Sequence, residues 1–293
     1  VSSWRLLPKH ISNRLISRLT TNPQRIVAVT ALQSPRAVTE RPGDPDFMAS
    51  LARGLAVIRA FDTETRRLTI SQIGIRTGLA RAVVRRCLYT LETLGYVLAA
   101  SDGYSLAPKT LSLGDAYLSS TPLIAHAQPA LDEVSALLLE SSSLSILDSD
   151  QVLYVARAAT QRIMSVALHV GSRLPAYCTS MGQVLLAALT PAERVGYFER
   201  VPLVAHTRFS ITSRSQLERV LDSVQQEGVA IVDQQLEIGL RSIAVPVRGR
   251  HGEVVASINA SAQASRVSLA RMRDEFQPVL HTAAVRISRL LAR

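Results

Sequence analysis

Three arginines within six residues, Arg81, Arg85 and Arg86, are the sharpest chemical signal in the chain. A guanidinium bridges O6 and N7 of guanine with two parallel hydrogen bonds, and it grips phosphate oxygens equally well. Arg81 and Arg85 are four residues apart, so a helix puts them on one side, with Arg86 and Tyr89 beside them. Arg66 and Arg67 precede Thr69 in a polar stretch. Phosphate contact and a merely solvated basic loop are equally good accounts of that pair.

Signals for enzymatic chemistry are absent by comparison. No two glycines are spaced to begin G-x-G-x-x-G, and no lysine follows a glycine, so neither a dinucleotide fingerprint nor a P-loop is expected. H-E-x-x-H, C-x-x-C and G-x-S-x-G are missing. The six histidines, at 10, 126, 169, 206, 251 and 281, show no metal-ligand spacing. No cofactor, no metal and no catalytic residue are therefore expected. Cys178 is the one residue that could support a rival, as a nucleophile or thiol sensor. It has no neighbouring His or Lys to lower its pKa, and a small residue packed near a pocket is the plainer account. Cys87 belongs to an apolar helix face. With only these two cysteines there is no disulfide framework, which suits a reducing, cytoplasmic setting.

The elements that must hold the arginines can be read from spacing. Residues 47–61 make a helix with the stripe Leu51, Leu55, Ile58, Phe61 and Ser50 as N-cap. A short second helix follows Thr69 and ends at Thr77-Gly78, glycine being suited to a left-handed C-terminal position. A third runs from Arg81 to about Leu94 on Val84, Leu88 and Leu91, and Gly95 stops it. Tyr96–Leu98 and Tyr104–Leu106 flank an Asp-Gly turn and make a hairpin. Helix, helix, short turn, helix, hairpin is a winged helix-turn-helix, whose third helix enters the major groove of duplex DNA.

Charge agrees with that layout. The 293 residues carry 33 Lys+Arg and 23 Asp+Glu, a net charge of +10, and all but two of the basic residues are arginine. Residues 1–46 carry +4, residues 47–109 carry +5, and residues 110–293 only +1. A basic front joined to a nearly neutral remainder indicates a polyanion-binding module fused to a second activity. Residues 1–46, interrupted by five prolines and opening on Val rather than Met, read as a disordered basic tail. No apolar run is long enough to span a bilayer, so no membrane partner is expected.

A linker helix is expected over 110–121, and an α+β domain with a central antiparallel sheet over 122–293. Strands are predicted at 143–148, 152–157, 163–169, 229–232, 241–247 and 253–260. Helices are predicted at 123–140, 180–189, 191–199, 213–227, opened by a Ser213/Gln216 capping box, and 267–292, kinked at Pro278. Asn259 and Ser261 share a strand face, and Ser242 begins another strand. If these strands are neighbours, the three make a patch that suits a small carboxylate or hydroxylated ligand. Serine on an outer sheet face is also commonplace.

The phrases Ser50–Phe61, Gly78–Val97, Arg162–Gly182 and Glu237-Ile-Gly-Leu-Arg-Ser-Ile-Ala-Val-Pro246 resemble the IclR family of bacterial transcription regulators. They are most similar to its branch that governs aromatic-acid catabolism, the PcaR/PcaU/PobR type of the β-ketoadipate pathways. The resemblance spans about residues 47–293. It implies a winged helix-turn-helix, a linker helix and a GAF-like effector-binding domain, assembled as homodimers or tetramers on a near-palindromic operator. It also implies a small organic acid as effector, held by Ser180, Met181, Leu240, Ser242, Asn259 and Ser261 between apolar walls at Val166 and Leu174. An acidic contact is implied at Asp233, with Val232 as the alternative one residue away.

Overall fold

The computed structural model describes residues 43–62, 65–160 and 168–292. Their contacts divide the chain into two compact units, one reaching to Thr90 and including Ser101–Tyr104, the other comprising Leu91–Ala100 and the chain from Ser105 onward. The tail expected at 1–46 and the strand expected at 163–169 lie largely outside the described residues.

In the first unit, α1 (Ala49–Arg59) is followed by α2 (Ile70–Thr77) and the start of α3 (Arg81–Thr93). Thr69 caps α2 through a capping box in which Gln72 N donates to Thr69 Oγ1 at 3.3 Å and Thr69 N donates to Gln72 Oε1 at 2.8 Å. Gly78 then takes φ +72°, a left-handed conformation that costs glycine little and ends the helix. Val57, Ile73, Val84 and Leu88 are among the buried apolar side chains of these helices. The stripe expected on α1 is only partly buried. Leu51 and Leu55 stand 58% and 47% exposed, and Val57 is the residue turned inward. Ser50 does not cap the helix, because α1 begins a residue earlier, after Met48.

The wing is a two-stranded hairpin, β1 (Val97–Ala100) and β2 (Gly103–Leu106). Tyr104 exchanges both backbone hydrogen bonds with Leu68, each 2.9 Å, which fastens the hairpin tip to the chain before α2. A Cβ at Gly103 would lie 2.9 Å from the Leu68 carbonyl oxygen, so this approach requires glycine.

The second unit continues through α4 (Leu111–Ser120) and α5 (Pro122–Leu138) to a six-stranded sheet. Its strands are β3 (Ser141–Asp148), β4 (Gln151–Ala158), β5 (Arg173–Pro175), β6 (Ala230–Asp233), β7 (Leu240–Arg248) and β8 (Val254–Gln263). The order is β5-β4-β3-β8-β7-β6, antiparallel throughout. One sheet face packs on α5 and the C-terminal helices through Leu131, Leu144, Ile243, Ile258 and Phe276. The other packs on α6 (Ser180–Ala187), α7 (Pro191–Arg200) and α8 (Arg214–Glu227) through Tyr154, Met181, Leu186, Leu217 and Ala244.

Local differences from the sequence expectation have physical causes. Ser213 makes no cap to α8, because its hydroxyl meets Ser215 Oγ at 3.1 Å. A capping box forms at Thr190 and Glu193 instead. The C-terminal helix is broken before Pro278, by a π turn at Met272–Phe276 between α9 (Leu269–Arg271) and α10 (Gln277–Leu291). The short edge strand β5 was not expected. On α4, Leu111, Leu113 and Tyr117 remain exposed.

Candidate nucleic-acid interface and effector cavity

The two units carry different kinds of site. On α3, Val84 and Leu88 fill the inner side, which leaves Arg81, Arg85, Arg86 and Tyr89 exposed on the outer one. None of those three arginines has an acidic partner among the described residues. The unpaired guanidinium groups thus project together from the helix that follows the turn. Arg66 is also exposed. Arg67 is not a free cation, because its Nη1 is paired with Asp102 in the wing turn. The Thr69 hydroxyl is engaged in the α2 cap. Arg76 is structural, donating to the Ala60 carbonyl at 2.8 Å and to Asp62 at 2.6 Å.

In the second unit the N-terminus of α6 comes down on the sheet. Thr179 caps it, accepting from Gly182 N at 3.2 Å and donating to the Pro175 carbonyl at 3.1 Å. The approach is so close that a Cβ on Gly182 would lie 2.0 Å from the Ala176 carbonyl oxygen. Between this helix start and the sheet is a cavity of about 30 Å³, room for one or two waters.

Ser180, Met181, Leu174, Leu240, Ser242, Asn259 and Ser261 all line the cavity, together with Val232, Tyr154, Arg157, Leu168, Cys178, Gln235 and Leu236. Strand pairing explains the convergence: Ser242 lies opposite Ser261, and Asn259 lies two residues earlier on the same face of β8. Asn259 Nδ2 donates to Ser261 Oγ at 3.0 Å. Asp233 is absent from the lining. It pairs across the ladder with Arg241, its carboxylate accepts from Arg241 Nε at 2.9 Å, and both residues belong to the opposite sheet face. Val232, opposite Ser242, takes the cavity side. Val166 lies outside the described residues.

Three buried polar atoms of this lining have no protein partner: Arg157 Nε, Ser180 Oγ and Asn259 Oδ1. Buried polar groups are normally satisfied, so their clustering marks a place built to receive something polar. Two larger surface grooves, of about 740 and 760 Å³, run along α10 and α8. Their arginines, including Arg248, Arg273 and Arg289, are exposed to water and carry no such debt. Cys178 belongs to the cavity wall, and burial pushes its thiol up to about 12. At neutral pH it is a protonated thiol, the wrong form for a nucleophile. Among the described residues no group of His, Cys, Asp and Glu could hold a metal ion, and no helix is long and apolar enough to cross a membrane.

A winged helix-turn-helix with outward arginines, joined to a domain with a polar internal cavity, defines a DNA-binding regulator of the ligand-sensing class. Comparison with known proteins gives the family. Residues 50–99 match the IclR helix-turn-helix domain, and residues 115–289 match the C-terminal domain of bacterial transcriptional regulators of the IclR type. The chain belongs to the IclR family. It is 51% identical over 245 residues to the Pca regulon regulatory protein of Pseudomonas putida, covering 83% of this chain and 84% of that one. A transcriptional regulator of Rhodococcus sp. RHA1 has a similar crystal structure, with TM-score 0.77, 46% identity, and coverage of 84% of this chain and 99% of the other. So does an IclR homologue of Microbacterium hydrocarbonoxydans complexed with 4-hydroxybenzoate, with TM-score 0.73, 26% identity, and coverage of 83% and 99%.

Proposed function

We propose that this protein is a transcriptional regulator of aromatic-compound catabolism whose hold on its operator is set by a small aromatic or dicarboxylic acid. The observation that carries this reading is the internal cavity, where Ser180, Asn259 and Arg157 present polar atoms that the protein itself leaves unpaired. The relation to a Pca regulon regulator and to a homologue complexed with 4-hydroxybenzoate supports the choice of ligand class.

In this reading residues 47–109 form the DNA-reading domain, 110–121 the linker and 122–293 the effector domain. A homodimer or tetramer, acting in the cytoplasm, presents two third helices to a near-palindromic operator. Arg81 and Arg85 contact base edges or phosphates, Tyr89 flanks them, and Arg86 and Arg66 hold phosphates. Arg67, through its pair with Asp102, and Thr69, through the α2 cap, brace the reading head at its surface. Effector binding shifts the population among arrangements of the reading heads and so changes operator affinity. The small size of the cavity means that an aromatic acid enters by dilating it, which gives the ligand a structural change to drive. No residue is assigned a catalytic role.

Binding of the full-length protein to its own upstream DNA, with and without 4-hydroxybenzoate, protocatechuate and β-ketoadipate at two salt concentrations, tests the reading. At least one acid is expected to alter operator affinity. If all three leave both the melting temperature and operator affinity unchanged, the effector assignment is wrong.

A further inference from the structure

Strand β4 contains a fault in its alternation, and the fault decides where Arg157 goes. Tyr154 and Arg157 are three residues apart, so a regular strand would place them on opposite faces. Pairing with β3 is irregular here: Leu144 lies opposite Ala156 but Ser145 lies opposite Tyr154, which leaves Val155 as an extra residue. Val155 and Ala156 both turn into the core against α5, and after them the phase is reversed. Arg157 therefore joins Tyr154 at the cavity.

The guanidinium delivered there is singular. In the second unit, Arg173, Arg194, Arg200, Arg214, Arg241, Arg266, Arg271 and Arg286 are each paired with a carboxylate. The other described arginines of that unit are exposed. Among the described arginines of that unit, only Arg157 is half-buried without an acidic partner. Its side chain makes one hydrogen bond, from Nη1 to Ser143 Oγ at 3.0 Å, and its buried Nε makes none. Burial lowers its pKa, which marks the guanidinium as under-solvated. A half-buried guanidinium whose Nε is sealed from water without a partner has lost part of its hydration, and a carboxylate brought by a ligand makes up that loss.

We propose that Arg157 receives the carboxylate of the effector, and that the β4 bulge serves to aim it into the cavity. This rests on the effector reading above and adds its polarity. With Nη1 held by Ser143, the edge formed by Nε and Nη2 is left to take two carboxylate oxygens side by side. Asn259 and Ser242, across the sheet from Arg157, then take a hydroxyl or second acid group at the other end. The ligand class is thus an anion with a planar carboxylate, not a neutral phenol or sugar.

The test uses the full-length protein and compares 4-hydroxybenzoate, protocatechuate and β-ketoadipate with their amides, which keep the shape and lose the charge. The wild type is expected to prefer its acid over the amide by more than ~30-fold. Arg157→Met is expected to lose that preference while the ligand-free protein melts at the same or a higher temperature, since an uncompensated charge has been removed. Arg157→Lys, which keeps the charge and loses the fork, should fall between the two. Equal binding of acid and amide by the wild type, or undiminished acid preference in Arg157→Met, overturns the role of Arg157 and leaves the effector reading standing. A ligand-free Arg157→Met that melts lower and loses acid and amide alike shows a structural role only. Failure of every acid and amide to bind the wild type removes the effector reading, and this proposal with it.

Discussion

Arg81, Arg85 and Arg86 stand in water on one side of α3, whereas Arg157 is half-buried in the effector unit, with Ser143 as its one side-chain partner among the described residues. The side chains are identical and their surroundings differ. An exposed guanidinium keeps its hydration and stands unpaired at no cost. It attracts a polyanion at long range, by releasing counterions, and salt screens that attraction. A half-buried one, with its Nε sealed off, has lost part of its hydration. In the proposed role it acts at contact, distinguishes a carboxylate from its amide, and is screened by salt less than the exposed groups are. In the proposed function one residue type would supply long-range attraction in one unit and contact selectivity for the ligand in the other.

Salt gives the largest separation between the two. Operator affinity should fall on the order of a thousandfold between 50 and 200 mM salt if two reading heads engage about six phosphates or more. Acid affinity should change less than about threefold over that range. Equal salt slopes for both ligands would erase the contrast. A smaller effect is expected from Arg85→Ala, which should weaken operator binding by roughly ten- to a hundredfold, as loss of a base or phosphate contact does. Acid binding should not move, and an unchanged footprint from the folded variant would exclude Arg85 from the interface. Thr69→Ala removes the α2 cap and should cost about 1 kcal/mol of stability in the reading head, seen in chemical denaturation. It should leave the melting of the effector unit alone. The smallest shift is expected for Ser242→Ala, a severalfold loss of acid affinity from one hydrogen bond, with ligand-free operator binding intact. A loss as large as that in Arg157→Met would mean that the cavity polarity is assigned the wrong way round.

The sequence made some of this legible and hid the rest for definite reasons. Helical spacing is enough to put Arg81 and Arg85 on one side of α3, because Val84 and Leu88, themselves four residues apart, are committed to the core. Two-residue spacing is enough to pair Asn259 with Ser261. Whether Ser242 joins them depends on which strands are neighbours, and that is long-range information. The choice between Val232 and Asp233 is of the same kind: a shift of one residue exchanges sheet faces, and only pairing with β7 decides it. Leu51 and Leu55 show that periodicity reports an amphipathic helix without naming what covers the apolar side. Ser213 shows that a capping pattern fails when a nearer hydroxyl competes for the cap. Arg157 was hidden most completely, since alternation counted from Tyr154 assigns it to the opposite face.

The extra residue in β4 also bears on how such chains are compared and how they diverge. Gln151–Tyr154 is in register with β3 on one side of Val155, and Ala156–Ala158 is in register on the other. The strand therefore has a seam at which one codon can be lost with both halves left opposite their present partners, Tyr154 against Ser145 and Arg157 against Ser143. Relatives with and without that codon would carry the same arginine at the same point in space, while an ungapped alignment would set it one column out. A gap placed at Val155 is the physically correct one, and it makes the arginine comparable across the lineage.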